Sequence, residues 1–108
     1  MIKRIIQYET GEGKCPFREW FLSLKDATVR AKIRSRLDRI LLGSFGDCKS
    51  IGGGVFELRF HFGSGYRVYF GIDQNTIVIL LYGGDKHAQE RDIHRSQEYW
   101  KDYIRRNR

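Results

Sequence analysis

Arg59, His61 and Arg67 flank a Gly63-Ser64-Gly65 turn, Tyr69 follows, and Tyr82 and Lys86 come one segment later. Guanidinium groups grip phosphate in a bidentate fork and stabilise charge growing on its oxygens. Tyrosine rings offer faces on which unpaired bases stack. A histidine moves a proton near neutral pH. Together these side-chain types suit an RNA phosphodiester. No metal-ligand spacing accompanies them: Cys15 and Cys48 stand alone, and His87 and His94 lack the i, i+4 spacing of a helical metal pair. The expected route therefore needs neither metal nor cofactor. The RNA's own 2′-hydroxyl attacks, and the protein supplies orientation, proton transfer and oxyanion stabilisation.

These groups must be held by strands. Val55 to Phe62, Tyr66 to Ile72 and Thr76 to Tyr82 each read as a strand, separated by Gly63-Ser64-Gly65 and by a turn at Gln74-Asn75. Alternation puts Phe56, Leu58, Phe60 and Phe62 on a core face and Glu57, Arg59 and His61 on the other. A short hairpin loop would set His61 opposite Arg67 and Arg59 opposite Tyr69, with Tyr82 beside Arg67. One open sheet face would then carry Arg59, His61, Arg67, Tyr69 and Tyr82, provided no bulge intervenes. Arginines on such a face can equally be plain solvated surface.

The remaining elements follow from periodicity. Ile2 to Tyr8 reads as a strand. Phe17, Trp20, Phe21 and Leu24 recur at helical spacing after Pro16. Asp26 caps a second helix that runs to about Leu42, with Gly43 past its end. Val29, Ile33, Leu37, Ile40 and Leu41 form its buried stripe, which leaves Arg30, Lys32, Arg34, Arg36 and Arg39 in water. Arg30 and Arg34 are candidates for a secondary RNA-binding surface. Ser44 to Gly54 reads as loop. A last helix spans about Lys86 to Arg105, and Lys86 at its start suits a phosphate. The order β-α-α-β-β-β-α describes an α+β fold, an antiparallel sheet packed on helices along one side, in a single domain over residues 1–108.

The bulk numbers agree with this chemistry. Twenty Lys+Arg against 13 Asp+Glu give a formal net charge of +7 on 108 residues, which favours a polyanionic partner. The segment Met1 to Ile6 lacks a signal-peptide apolar run, and Ile77 to Tyr82 is too short to span a bilayer. A cytoplasmic protein with reduced thiols and no membrane partner is expected.

The strings Phe56-Glu57-Leu58-Arg59, Gly65-Tyr66-Arg67-Val68-Tyr69-Phe70 and Leu81-Tyr82-Gly83-Gly84-Asp85-Lys86, followed by Gln89 and Asp92-Ile93, resemble the RelE/ParE toxin superfamily. Within it they are most similar to HigB-like addiction module killer proteins, a branch related to a phage protein. The resemblance implies a RelE-like fold and the toxin of a type II toxin–antitoxin system. Its activity would be a ribosome-dependent mRNA endonuclease that inhibits translation. Its partners would be mRNA on the ribosome and a cognate antitoxin, often of helix-turn-helix type. By the resemblance, Arg67 contacts the scissile phosphate, Arg59 matches a basic position on the preceding strand, and Lys86 matches the basic residue after the last strand. Where some relatives carry a tyrosine early in the last helix, this chain reads Glu90-Arg91-Asp92-Ile93. Asp92, His61 and His87 are therefore the candidate proton carriers. The same fold also hosts ParE-like inhibitors of DNA gyrase, and a catalytically silent RNA- or partner-binding member is a third reading.

Overall fold

A computed structural model describes residues 1–108. Five strands form one sheet in the order β1-β5-β4-β3-β2: β1 Arg4–Gln7, β2 Cys48–Gly52, β3 Val55–Arg59, β4 Arg67–Asp73 and β5 Ile77–Gly84. β2 through β5 pair antiparallel, and β1 joins the edge parallel to β5. The helices are α1 Pro16–Ser23, α2 Ala27–Leu41 and α3 Gln89–Arg106, the last preceded by a 3-10 turn at Lys86–Ala88. The fold is α+β, a mixed sheet packed against three helices.

The helices cover both faces of the sheet, rather than one. Val68, Phe70, Val78 and Leu80 pack with Phe17 and Phe21 of α1 and Ile33, Leu37 and Ile40 of α2. The alternate residues Val55, Tyr69, Ile79 and Leu81 pack with Trp100 of α3. Strand alternation alone explains the two cores, since both sets of β4 and β5 side chains are apolar. Burying Ile79, Leu81 and Tyr69 requires α3, an amphipathic helix whose Asp92, Ser96 and Trp100 are its buried side.

Local chemistry sets the ends of these elements. Asp26 caps α2, its carboxylate accepting from Thr28 N at 2.8 Å. Gln74 and Asn75 both adopt left-handed backbone, and Thr76 N–H donates to the Asp73 carbonyl at 3.1 Å, closing the β4–β5 hairpin. Two of the helix arginines are not free surface. Arg36 donates to the carbonyls of Arg59 (2.9 Å) and Phe45 (3.1 Å), and Arg30 donates to the Leu24 carbonyl.

β2 lies inside the stretch read as loop. Its exposed Lys49, Ser50 and Gly52 show no apolar alternation, so nothing marked it as a strand. Pairing to β3 recruits it, through a turn in which Gly52, Gly53 and Gly54 all have positive φ.

Candidate active site

The β3–β4 register places the site. Arg59 lies opposite Arg67 and Glu57 opposite Tyr69, two residues from the expected pairing. The hairpin is closed by Phe60 N–H to the Tyr66 carbonyl at 3.0 Å, so its loop spans residues 61–65 and not only the glycine turn. A shift of two keeps every side chain on its expected face but moves its neighbours. β5 contains a bulge at Leu81, which pairs Tyr82 with Tyr69 and Gly84 with Arg67. Tyr82 is thus not beside Arg67.

The face that carries these residues is roofed by α3. Tyr69 is fully buried and offers no ring to a base. Its hydroxyl has no hydrogen-bond partner, and burial near the Glu57 and Asp92 carboxylates pushes the phenol far above its ordinary value. Asp92 is 2% exposed, its carboxylate resting on Gly84 and its pKa raised by burial. That position braces the strand and does not reach solvent. Arg91 Nε lies 3.8 Å from Asp92 Oδ1.

Glu57 occupies the centre. Its carboxylate is wholly buried, accepts from Gln89 Nε2 at 2.9 Å, and lies 3.5 Å from Arg67 Nε. Arg67 Nη1 donates to the Gly65 carbonyl at 2.5 Å, and the side chain is 13% exposed. Its guanidinium is therefore held by a hydrogen bond to the carbonyl beside it and by charge attraction to the carboxylate behind it. Lys86 stands next to it: a Cβ at Gly65 would lie 3.1 Å from Arg67 Nη1 and 3.3 Å from Lys86 Cβ. Lys86 N–H donates to the Ser64 carbonyl at 3.2 Å, which ties the helix entry to the hairpin loop. Lys86 is exposed, as is His87, whose backbone N–H is capped by Asp85.

A second cluster sits at the outer end of β3. Asp47, just before β2, accepts from Arg59 Nη2 at 3.1 Å and contacts His61 Nε2. Hydrogen bonds from His61 and Arg59 hold the Asp47 carboxyl below the usual carboxylate range. His61 is open to solvent on its other sides. Arg30 and Arg34 are on α2, across the sheet from this site, and Arg34 lies over the Phe21 ring at 5.3 Å.

The profile of the family described as "Phage derived protein Gp49-like" matches residues 19–98. The chain belongs to that family. The matched span runs from within α1 to within α3, so it contains Asp47, Glu57, Arg67 and Lys86. The Gp49-like chain is also 48% identical, over 77 residues, to an uncharacterized protein of Haemophilus influenzae; the alignment covers 71% of this chain and 78% of that one. No solved structure matches it.

Two residues of this site, Glu57 and Asp47, are not among the site residues expected from the sequence. Glu57 shares a strand face with Arg59, a signal that it pairs with a cation there. Asp47 carries no such signal, because β2, the strand it precedes, shows no apolar alternation.

Proposed function

We propose that this Gp49-like protein is the toxin of a toxin–antitoxin pair, and that it acts as a metal-independent endoribonuclease on mRNA held in the ribosome, in the manner of HigB and RelE. One observation carries the reading: Arg67 is oriented by a buried carboxylate, and Lys86 stands beside its guanidinium at an exposed rim. Orienting an arginine in this way makes sense for gripping a phosphate. The two cations would stabilise the charge that grows on the phosphoryl oxygens as the 2′-oxygen attacks. The P–O5′ bond breaks, leaving a 2′,3′-cyclic phosphate, and the 5′-oxygen takes a proton.

With Asp92 and Tyr69 buried, His61 and His87 remain as exposed proton carriers. Asp47 orients His61, which suits it to remove the 2′-hydroxyl proton. His87 neighbours Lys86 and suits the leaving side. The net charge of +7 supports a polyanionic substrate, and an antitoxin with an acidic segment would complement the same surface.

End mapping of a defined mRNA, naked and on stalled ribosomes, tests this. Wild-type chain should cut within the ribosomal A site, and Arg67→Ala and Lys86→Ala should not. Lys86 is exposed, so its loss leaves the fold intact. Absence of cuts in both states, together with DNA-damage signalling in expressing cells, would replace the nuclease reading with gyrase inhibition.

A further inference from the structure

β1 and β5 are neighbouring parallel strands, yet the chain leaves them towards opposite faces. β1 leads to α1 on one side of the sheet, and β5 leads to α3 on the other. β1 ends at Gln7, opposite Leu80, with a last bond from Tyr8 N–H to the Leu80 carbonyl at 2.9 Å. Leu81 to Gly84 run on beyond it. Parallel neighbours whose connections part in this way open a crevice at their C-terminal ends, the general place for ligands in open sheets.

That crevice is present here, with a volume of about 470 Å³. Glu19 and Trp20 of α1, Tyr82 of β5, and Arg95 and Tyr99 of α3 line it, with Lys14 at its rim. Trp20 reaches β5 only because residue 83 is glycine: a Cβ there would lie 2.1 Å from the indole. Arg95 Nη1 donates to the Tyr82 hydroxyl at 3.2 Å, and Tyr99 meets the Tyr82 ring edge to face at 5.8 Å. Neither Arg95 nor Lys14 has a carboxylate partner within ion-pair distance. Aromatic walls with uncompensated cations at the rim match a planar base joined to a phosphate. Glu19 adds a group that accepts from a base N–H.

We propose that this crevice holds one nucleobase of single-stranded RNA, adjacent to the phosphate bound at Arg67. The ring lies among Trp20, Tyr82 and Tyr99, and its phosphate meets Arg95 and Lys14. Its nearness to the site along β5 favours RNA over a free metabolite. Tyr82 precedes Gly84, the residue paired with Arg67, by two positions, roughly 7 Å along the strand. The placement of the neighbouring phosphate rests on the RNA reading given above; the crevice itself does not.

Titration of the full chain with guanosine monophosphate and with a single-stranded RNA oligomer, followed by tryptophan emission, tests it. Trp20 lines the crevice, whereas Trp100, the other of the two tryptophans, is buried against Gly71. Saturable quenching by both ligands is expected, absent in Trp20→Phe. Arg95→Ala, at an exposed position, should weaken oligomer binding about tenfold. Oligomer binding that is sensitive to Lys86→Ala but leaves Trp20 emission unchanged, with wild-type affinity in Arg95→Ala, overturns the crevice and leaves the RNA reading standing. Quenching by the monophosphate in a chain that never cleaves RNA upholds the crevice and removes the nuclease. Binding of neither ligand overturns both.

Discussion

Glu57 Oε2 lies 3.5 Å from Arg67 Nε, with the glutamate wholly buried and the arginine exposed over only 13% of its side chain. The pair joins β3 to β4, and Gln89 joins it to the first turn of α3 at 2.9 Å. A buried carboxylate without its cation is costly, so the two residues depend on each other. Glu57→Gln keeps the volume and removes the charge. On the proposed nuclease reading it should leave the chain folded and lower single-turnover cleavage at least tenfold by loosening Arg67. Glu57→Ala adds a cavity and should cost about 2–4 kcal/mol in urea unfolding. Full cleavage by Glu57→Gln would show that Arg67 needs no carboxylate behind it.

Asp47 holds Arg59 and His61 at a partly exposed edge, so its contribution to stability is small, and on the proposed nuclease reading the effect to measure is on cleavage. Asp47→Asn should reduce the cleavage rate constant about tenfold while oligomer affinity changes less than about twofold. The depressed carboxyl contributes above its unfolded value of 3.8 and is lost as pH falls below that, so the clamp is intact at neutral pH. A fall in affinity with an unchanged rate would assign the cluster to binding instead.

Gly84 lets the Asp92 carboxylate rest on the sheet: a Cβ there would stand 1.9 Å from Asp92 Oδ2. Gly84→Ala should displace the start of α3, destabilise the fold by about 2–3 kcal/mol, and lower cleavage through Gln89 and Lys86. Adding Asp92→Ala should recover much of that stability, as a double-mutant cycle in urea would show.

Tyr8, the residue after β1, donates to Asp102 Oδ2 of α3 at 2.5 Å. Burial, with Asp102 beside it, pushes the phenol from 10.0 up to about 12. A raised folded pKa means that the contribution is complete below pH 10 and is lost as pH climbs through about 12. Urea midpoints should therefore fall above pH 10, in step with phenolate absorbance, and the fall should be shallower in Tyr8→Phe. Identical alkaline profiles would show that Tyr8 is not the group involved.

Composition, periodicity and turn residues determined a good deal unaided. The cap at Asp26 and the turn at Gln74-Asn75 act locally, so their elements are legible. Period-two alternation sorted Phe56 and Leu58 from Glu57 and Arg59, and no later shift of register by two could undo that. Net charge and the arginines of β3 and β4 pointed to phosphate chemistry. Tertiary structure alone decided what covers each face. Tyr69 and Asp92 look like available site residues in the chain and are buried once α3 closes over the sheet. Asp47 reaches His61 only because β2 pairs with β3, and the Trp20–Tyr82–Arg95 crevice exists only because β1 and β5 lie side by side while their connections part. Such relations join residues far apart in sequence, and local propensity carries no record of which long-range packing will form.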